Sequence, residues 1–297
     1  MKLNFLLALC CPVLLKAQQV KDTSFHAPAF TPQYKQGSGP LVLFDEGHYN
    51  PHTLKGRYAA FGEVLRQDGY RLEKSTGELG LPYLQHAQVF VSANALYDPA
   101  DWNLPARSAF AAGEVKALHE WVQQGGSLFL ITDHMPCAAS VNDVAQSFGF
   151  NLINGFAQKK DRGKEMFSRS RNNLHSNSIT NGRNEAGRVD SFMIWGGTGF
   201  IAPAEAEIIS SLGSGYEILL PSKAEEITDT TPRVSGLGFV NAAYRRYGKG
   251  KVVIFGDGAA FTAQLEGIYN HKRGMNHPDA GQNMQLLLNI MHWLSEK

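Results

Sequence analysis

The chain has 297 residues, 43% of them hydrophobic and 19% charged, and its 28 basic against 27 acidic residues leave a formal charge of +1. So even a balance gives no electrostatic footprint for nucleic acid or an anionic membrane, and the hydrophobic share is enough for a full core.

The first residues set the expected compartment. MKLNFLLALCCPVLLKA has Lys2 near the start, an apolar run over 5–15, and Ala17 as a small residue at a cleavage point. This is the layout of a secretory signal peptide, too short for a membrane span. Cys10 and Cys11 raise the question of a lipid anchor. Leu9, where a small residue is wanted, argues against one, as does the apolar run beyond both cysteines. A signal peptide over 1–17 and a periplasmic or secreted product free of the membrane are therefore expected. Its removal takes Lys2 and Lys16, leaving 26 basic against 27 acidic residues, a net charge of −1. Cys137 then stands alone, so no internal disulfide can form, which suits a bacterial periplasm.

Residues 18–37 are polar, carry Pro28 and Pro32, and show no sustained period, so they read as a lead-in. A single domain is expected from 38 to 297. LVLFD (41–45) is its first strand. Tyr58, Phe61, Val64 and Leu65 then recur at helical spacing until Asp68-Gly69 stops the helix. YRLEKS (70–75) and QVFVSAN (88–94) read as strands. A helix over 109–124 ends at Gly125-Gly126, SLFLITD (127–133) is a fully apolar strand, and VNDVAQSFG (141–149) is the helix behind it. From about 150 to 215 the chain turns basic and rich in Asn, Arg and Ser, an irregular insertion with no second core. The strand pattern resumes with SFMIWG, AEIISSL, YEILLP and VSGLGFVNAAYRRYG. KVVIFGD (251–257) is another buried strand, and the closing helix carries Met284, Leu287, Leu288, Met291 and Leu294 on one face.

Alternating helices and uniformly apolar strands imply a mainly parallel sheet covered on both faces. Right-handed crossovers then bring the strands' carboxyl ends to one edge, where ligands bind in such folds. Those ends carry Asp45-Glu46-Gly47-His48, Asn94, Asp133-His134 and Asp257.

Three chemistries fit. Glu46 and Asp133 can act as a general acid and base, with His48 or His134 relaying protons. Alternatively Glu46, His48, His52, Asp133 and His134 are the right types to hold a divalent metal, although no HExxH is present and Pro51 keeps His48 and His52 off a common helix face. Cys137 in DHMPC is a third candidate, as a nucleophile beside His134, but it lacks a glycine-flanked elbow. Aspartates at these positions also serve commonly as helix caps. FGDGAAFT fails as a dinucleotide fingerprint because Phe261 replaces its third glycine. Thr262, Gln264, Asn276 and His277 lie on segments able to reach the same edge, and Asn283 could cap the last helix. Trp102, Trp195 and Tyr97 in loops can stack on sugars or simply cover the core. Arg57 can hold an anionic group such as a uronate.

VLFDEGHYNPHTLKGRYAAFGEVLRQDGY, GGSLFLITDHMP, HSNSIT, VVIFGDGAAFTAQ and NMQLLLNIMHWL together resemble an exported bacterial branch of the class I glutamine amidotransferase-like superfamily. Relatives of that branch are the trehalose-utilisation-type proteins and the GIFT domains of gliding-motility and intraflagellar-transport proteins. The resemblance covers nearly all of 38–297 and implies a flavodoxin-like three-layer sandwich. It implies no glutaminase, because the Gly-flanked cysteine elbow and the terminal His-x-Glu are missing. It also implies a polysaccharide context. The expected function is action on a carbohydrate or its substituents, by hydrolysis with Glu46, His48, Asp133 and His134 as catalytic groups. Arg57, Asn94, Asp257, Thr262, Gln264 and Asn276 would bind a small molecule or oligosaccharide. The alternative is a non-catalytic carbohydrate-binding or assembly domain of the same fold.

Overall fold

The structure is a computed structural model that describes residues 19–296. The expected signal peptide, with Cys10 and Cys11, lies outside the described residues, as does Lys297.

Among the described residues nine strands form the central sheet. In chain order they are β1 (Leu41–Asp45), β2 (Arg71–Ser75), β3 (Val89–Ala93), β4 (Ser127–Ile131), β5 (Asn151–Leu152), β6 (Phe200–Ile201), β7 (Glu207–Ser211), β8 (Val240–Tyr247) and β9 (Gly250–Phe255). Their spatial order is β2-β1-β3-β4-β9-β8-β6-β5, with β7 also paired to β8. The first five in that order run parallel. Beyond β9 every pairing is antiparallel.

Strands β1, β3, β4 and β9 are buried along their whole length because both faces are covered. Val42 and Phe44 of β1 face the cluster that holds α1 (Ala59–Gln67), with Phe61, Val64 and Leu65. Leu43, between them, faces the opposite cluster, with Leu118, Trp121 and Val122 of α2 (Ala112–Gln124) and Val144 of α3 (Asn142–Ser147). The closing helix α4 (Asn283–Ser295) packs on the same side as α1. The period-two alternation of β1 thus divides its side chains between two helical layers. Among the described residues no helix is long and apolar enough to cross a membrane.

The later strands depart from the expected parallel order for a local reason. Tyr247 pairs with Gly250 across Gly248-Lys249, and so short a connection forces an antiparallel hairpin. SFMIWG and YEILLP lie outside the central sheet. Ser191–Met193 pairs with Met166–Ser168, and Tyr216–Leu219 sits between Phe156–Lys159 and Arg233–Ser235. The insertion also has more structure than its composition suggests. Phe167, Ile179, Val189, Phe192 and Ile194 are all buried in the core that α1 and α4 share. Phe167, Ile179 and Val189 escape a pattern search because they stand singly among polar residues, whereas Phe192 and Ile194 belong to the apolar run SFMIWG. In the lead-in, Gln19–Lys21 pairs with Ala263–Glu266, which pairs in turn with His271–Gly274.

The β4–β9 pair leaves no room at Gly250. A Cβ there would lie 2.1 Å from the Gly126 carbonyl oxygen and 2.2 Å from that of Val122. Both are backbone atoms at the end of α2, unable to swing aside. Gly250→Ala is expected to lower stability by about 3 kcal/mol, read as a shift in the urea midpoint; an unshifted midpoint would show that the chain relaxes there freely.

Candidate active site

A cleft of about 1200 Å³ opens at the carboxyl edge of the parallel strands. Asp133, His134, Arg57, Asn94 and Gln264 line it, together with His52, Trp102 and Trp195.

Asp133 and His134 follow β4 directly. Asp133 Oδ1 accepts a hydrogen bond from the His134 backbone N–H at 2.8 Å, and Oδ2 accepts from Asn94 Nδ2 and from the Gly258 N–H, both at 3.3 Å. Asn94 ends β3 with φ 51°, a left-handed conformation that asparagine tolerates. Its Nδ2 also lies 3.1 Å from His52 Nε2. An amide N–H directed there makes Nε2 the acceptor and places the ring proton on Nδ1. Burial pulls the His52 pKa down to about 4, against a weaker opposing pull from Asp133, so this ring is neutral at pH 7. His52 stacks on Tyr58 with centroids 4.9 Å apart, and Tyr58 donates to the Gly258 carbonyl at 3.0 Å. Gly258 closes this floor because a Cβ would stand 2.5 Å from Asn94 Nδ2.

His134 is held by two contacts. Its Nδ1 lies 2.7 Å from the Met135 carbonyl, to which it donates, and its ring stacks on Phe156 at 4.3 Å. In the neutral ring Nε2 is therefore the lone-pair nitrogen, 3.9 Å from Asp133 Oδ1. Arg57 sits in the turn just before α1 and is half-buried. Among the described residues it has no hydrogen bond or ion pair. Burial lowers its pKa, and the Asp133 carboxylate acts in the opposite direction.

Glu46 and His48 are not among the residues lining the cleft. Glu46 accepts from the Leu54 N–H at 2.8 Å, fixing the following turn. His48 is buried, with Nδ1 2.8 Å from Asp45 Oδ1 and Nε2 3.3 Å from both oxygens of Glu114. Burial works against its charge, but the two carboxylates win and raise its pKa. Asp45 anchors this knot, also accepting from Gly47 N, Asn50 Nδ2 and Ser92 Oγ.

Asp257 lies beneath the cleft, fully buried, accepting from the N–H groups of Trp195 and Ala260. Burial pushes its carboxyl well above the usual range, and nearby Asp133 adds to the rise. Thr262 donates to the Ala259 carbonyl and accepts from Gln264 Nε2. Asn276 donates to Asp22 and to the Gln264 carbonyl, outside the cleft lining. Asn283 is the first residue of α4 and bridges Met193 and Ala260. Tyr97 is exposed, with Arg107 over its ring. Cys137 borders the cleft, but burial drives its thiol pKa up, which keeps it protonated and a poor nucleophile at neutral pH. Among the described residues no three of His, Cys, Asp and Glu are grouped to hold a metal ion.

Sequence reasoning missed Glu165 and Gly258. Glu165 lies in the basic run KKDRGKEMF, where nothing marks it, yet its carboxylate accepts from the Gly196 and Lys159 N–H groups. Burial raises its pKa to about 7. The signal for Gly258 is the pairing of two glycines after a buried strand, which also resembles a nucleotide loop.

Two outcomes are expected. Asp45→Ala strands several buried donors and should lower unfolding stability by about 3–5 kcal/mol; a change below about 1 kcal/mol would show the knot to be dispensable. For Glu165 the folded pKa lies above its ordinary 4.5, so the folded state keeps a proton that the unfolded chain loses between about pH 4.5 and 7. Its contribution is whole below 4.5 and falls as pH rises toward 7. Glu165→Gln removes that slope, so thermal unfolding across this window should show the variant gaining on the parent, by at most about 1.4 kcal/mol per pH unit. Parallel curves would contradict it.

No family model matches the sequence, and no curated protein does. Solved structures do match. The "mmIFT52 N-terminal domain" is 14% identical with a TM-score of 0.62, covering 86% of this chain and 98% of that one. A cytoplasmic protein from Salmonella typhimurium is 12% identical at TM-score 0.49, covering 87% of this chain and 100% of its own. A ThuA-like protein from Bacteroides uniformis is 13% identical at TM-score 0.47, covering 91% and 94%. At such identities the likeness is one of fold: mixed α/β with a largely parallel central sheet and flanking helices.

Proposed function

We propose that this chain is a periplasmic or secreted hydrolase that removes an ester-linked substituent from an anionic carbohydrate, with His134 as base, Asp133 as its electrostatic partner and Arg57 as the anion clamp. We read the fold as a flavodoxin-like three-layer sandwich of the exported glutamine amidotransferase-like branch. The five parallel strands in the order β2-β1-β3-β4-β9 support that reading.

The observation that carries the functional reading is the state of Arg57. A half-buried guanidinium on the cleft wall with no hydrogen bond or ion pair among the described residues leaves its donors without a protein acceptor, Asp133 being the carboxylate whose charge acts on it. An anionic ligand group would supply the missing acceptors in bidentate form.

The chemistry follows from the neighbouring pair. His134 Nε2 takes a proton from water, the water oxygen bonds to the ester carbonyl carbon, and the imidazolium that forms is stabilised by the Asp133 carboxylate 3.9 Å away. Collapse of the tetrahedral adduct expels the ester's alkoxide oxygen, the sugar's in an acetate and the methyl's in a methyl ester, which recovers the proton from Nε2. Glycosidic cleavage would usually need two carboxyl groups facing the scissile bond. Glu46, the expected second carboxylate, is instead committed to the Leu54 N–H.

One observation favours the second reading, a binding or assembly domain without turnover. Both Asp133 oxygens already accept backbone N–H groups, which ties the carboxylate into the turn. The two readings separate on acetylated and methyl-esterified uronate oligosaccharides. His134→Ala and Asp133→Asn should each cut kcat by about 100-fold or more with the fold intact, while Arg57→Ala should raise KM about tenfold. Ligand binding by the parent with no turnover, unaltered in Asp133→Asn, would decide for the binding domain.

A further inference from the structure

Trp195 combines three features that its neighbours lack. It lines the cleft, and its indole N–H has no acceptor among the described residues. Its backbone is also clamped from two distant parts of the chain. The Trp195 N–H donates to Asp257 Oδ2 at 2.9 Å, and the next N–H, of Gly196, donates to Glu165 Oε2. Asp257 follows β9, while Glu165 belongs to the long insertion. The other Glu165 oxygen accepts from Lys159 N, and its carbonyl accepts from Ile194 N, so the insertion grips both sides of the tryptophan.

The clamp needs the two glycines that follow. Gly196 and Gly197 take φ of 97° and 92°, and a Cβ on Gly197 would stand 2.0 Å from the Gly256 carbonyl oxygen. The loop therefore lies directly against the end of β9. His277 packs against the indole in a T-shaped contact, centroids 5.5 Å apart, with Asp279 and Lys164 as the charged groups near that ring. Trp102, by contrast, has its indole N–H occupied by the Pro99 carbonyl at 3.0 Å. A fixed aromatic face with a free N–H at its edge matches the two sides of a pyranose, the apolar C–H face and the hydroxyl rim.

We propose that Trp195 is the stacking platform on which the cleft receives a sugar ring, and that Glu165 and Asp257 are the positioning residues that hold it there. This inference rests on the carbohydrate reading above and assigns the insertion a role as the outer half of the clamp. Preorganisation is the physical benefit, because a ring carried on a pinned backbone and packed against His277 loses less freedom when the ligand arrives.

The test uses the parent protein and variants against oligogalacturonate, acetylated xylotriose and maltotriose, with affinity measured by calorimetry. Trp195→Ala should weaken binding of whichever saccharide the parent takes by at least about tenfold, and Trp195→Phe by less. Glu165→Ala should weaken it about fivefold and alter the near-ultraviolet dichroism of Trp195, isolated by subtracting the Trp195→Phe spectrum. Glu165→Gln, which keeps one oxygen for the Gly196 N–H but none for that of Lys159, should fall between the parent and Glu165→Ala in both. If Glu165→Ala does not fold, Glu165→Asp, which withdraws the carboxylate by one methylene, takes its place. Parent-like binding in Trp195→Ala overturns the platform, and weakened binding in Glu165→Ala with an unchanged Trp195 signal overturns the clamp. If the parent binds none of the three saccharides, the carbohydrate reading falls and this inference falls with it. Parent binding that Trp195→Ala leaves unchanged removes only the inference.

Discussion

Parallel strands deliver their last backbone groups, unpaired, to one edge of the sheet, and polar side chains there have to satisfy them. Much of the arrangement at this edge follows from that constraint. Asp45 gathers the turn after β1, Asp133 accepts the Gly258 N–H arriving from β9, and Asp257 accepts two N–H groups from the loops above it. The carboxylates that hold the edge together and the one that faces the cleft are therefore products of the same demand. They differ in direction. Asp45 and Asp257 turn inward and are fully buried, whereas Asp133 keeps part of its surface toward the cavity.

This explains how far the sequence could be read. The strands were legible because a strand buried on both faces is a run of Val, Leu, Ile and Phe, and its end is marked by the carboxylate or amide residue that follows. Asp45, Asn94, Asp133 and Asp257 were all found in this way. Their individual duties were not legible, because duty depends on partners far away in the chain. His48 looks like an exposed catalytic histidine until Glu114, 66 residues later, closes on its other nitrogen. Glu46 looks free until the Leu54 N–H arrives. The insertion is less legible, for the complementary reason. Phe167, Ile179 and Val189 stand singly among polar residues, and their partners lie far along the chain, as Tyr216 does for Phe167, so no periodicity records them.

The site as built is asymmetric. One wall, from β3, β4 and the turn after β9, is rigid and inward-bonded, with His52 held neutral, Asn94 bridging and Gly258 admitting no side chain. Loops add the aromatic surfaces Trp102 and Trp195 to the lining. Rigid polar groups suit bond-making chemistry, because they need no rearrangement as charge develops.

The outer border of the sheet has a consequence of its own. β2 is the last strand on its side, and Arg71, Glu73 and Lys74 are exposed along it. An open strand edge is a template for pairing with another chain, and charged side chains along it oppose that pairing because a second copy would strip them of water. The strand that completes the fold therefore also guards against aggregation, and neutral substitutions at these three positions would be felt first as precipitation at high concentration.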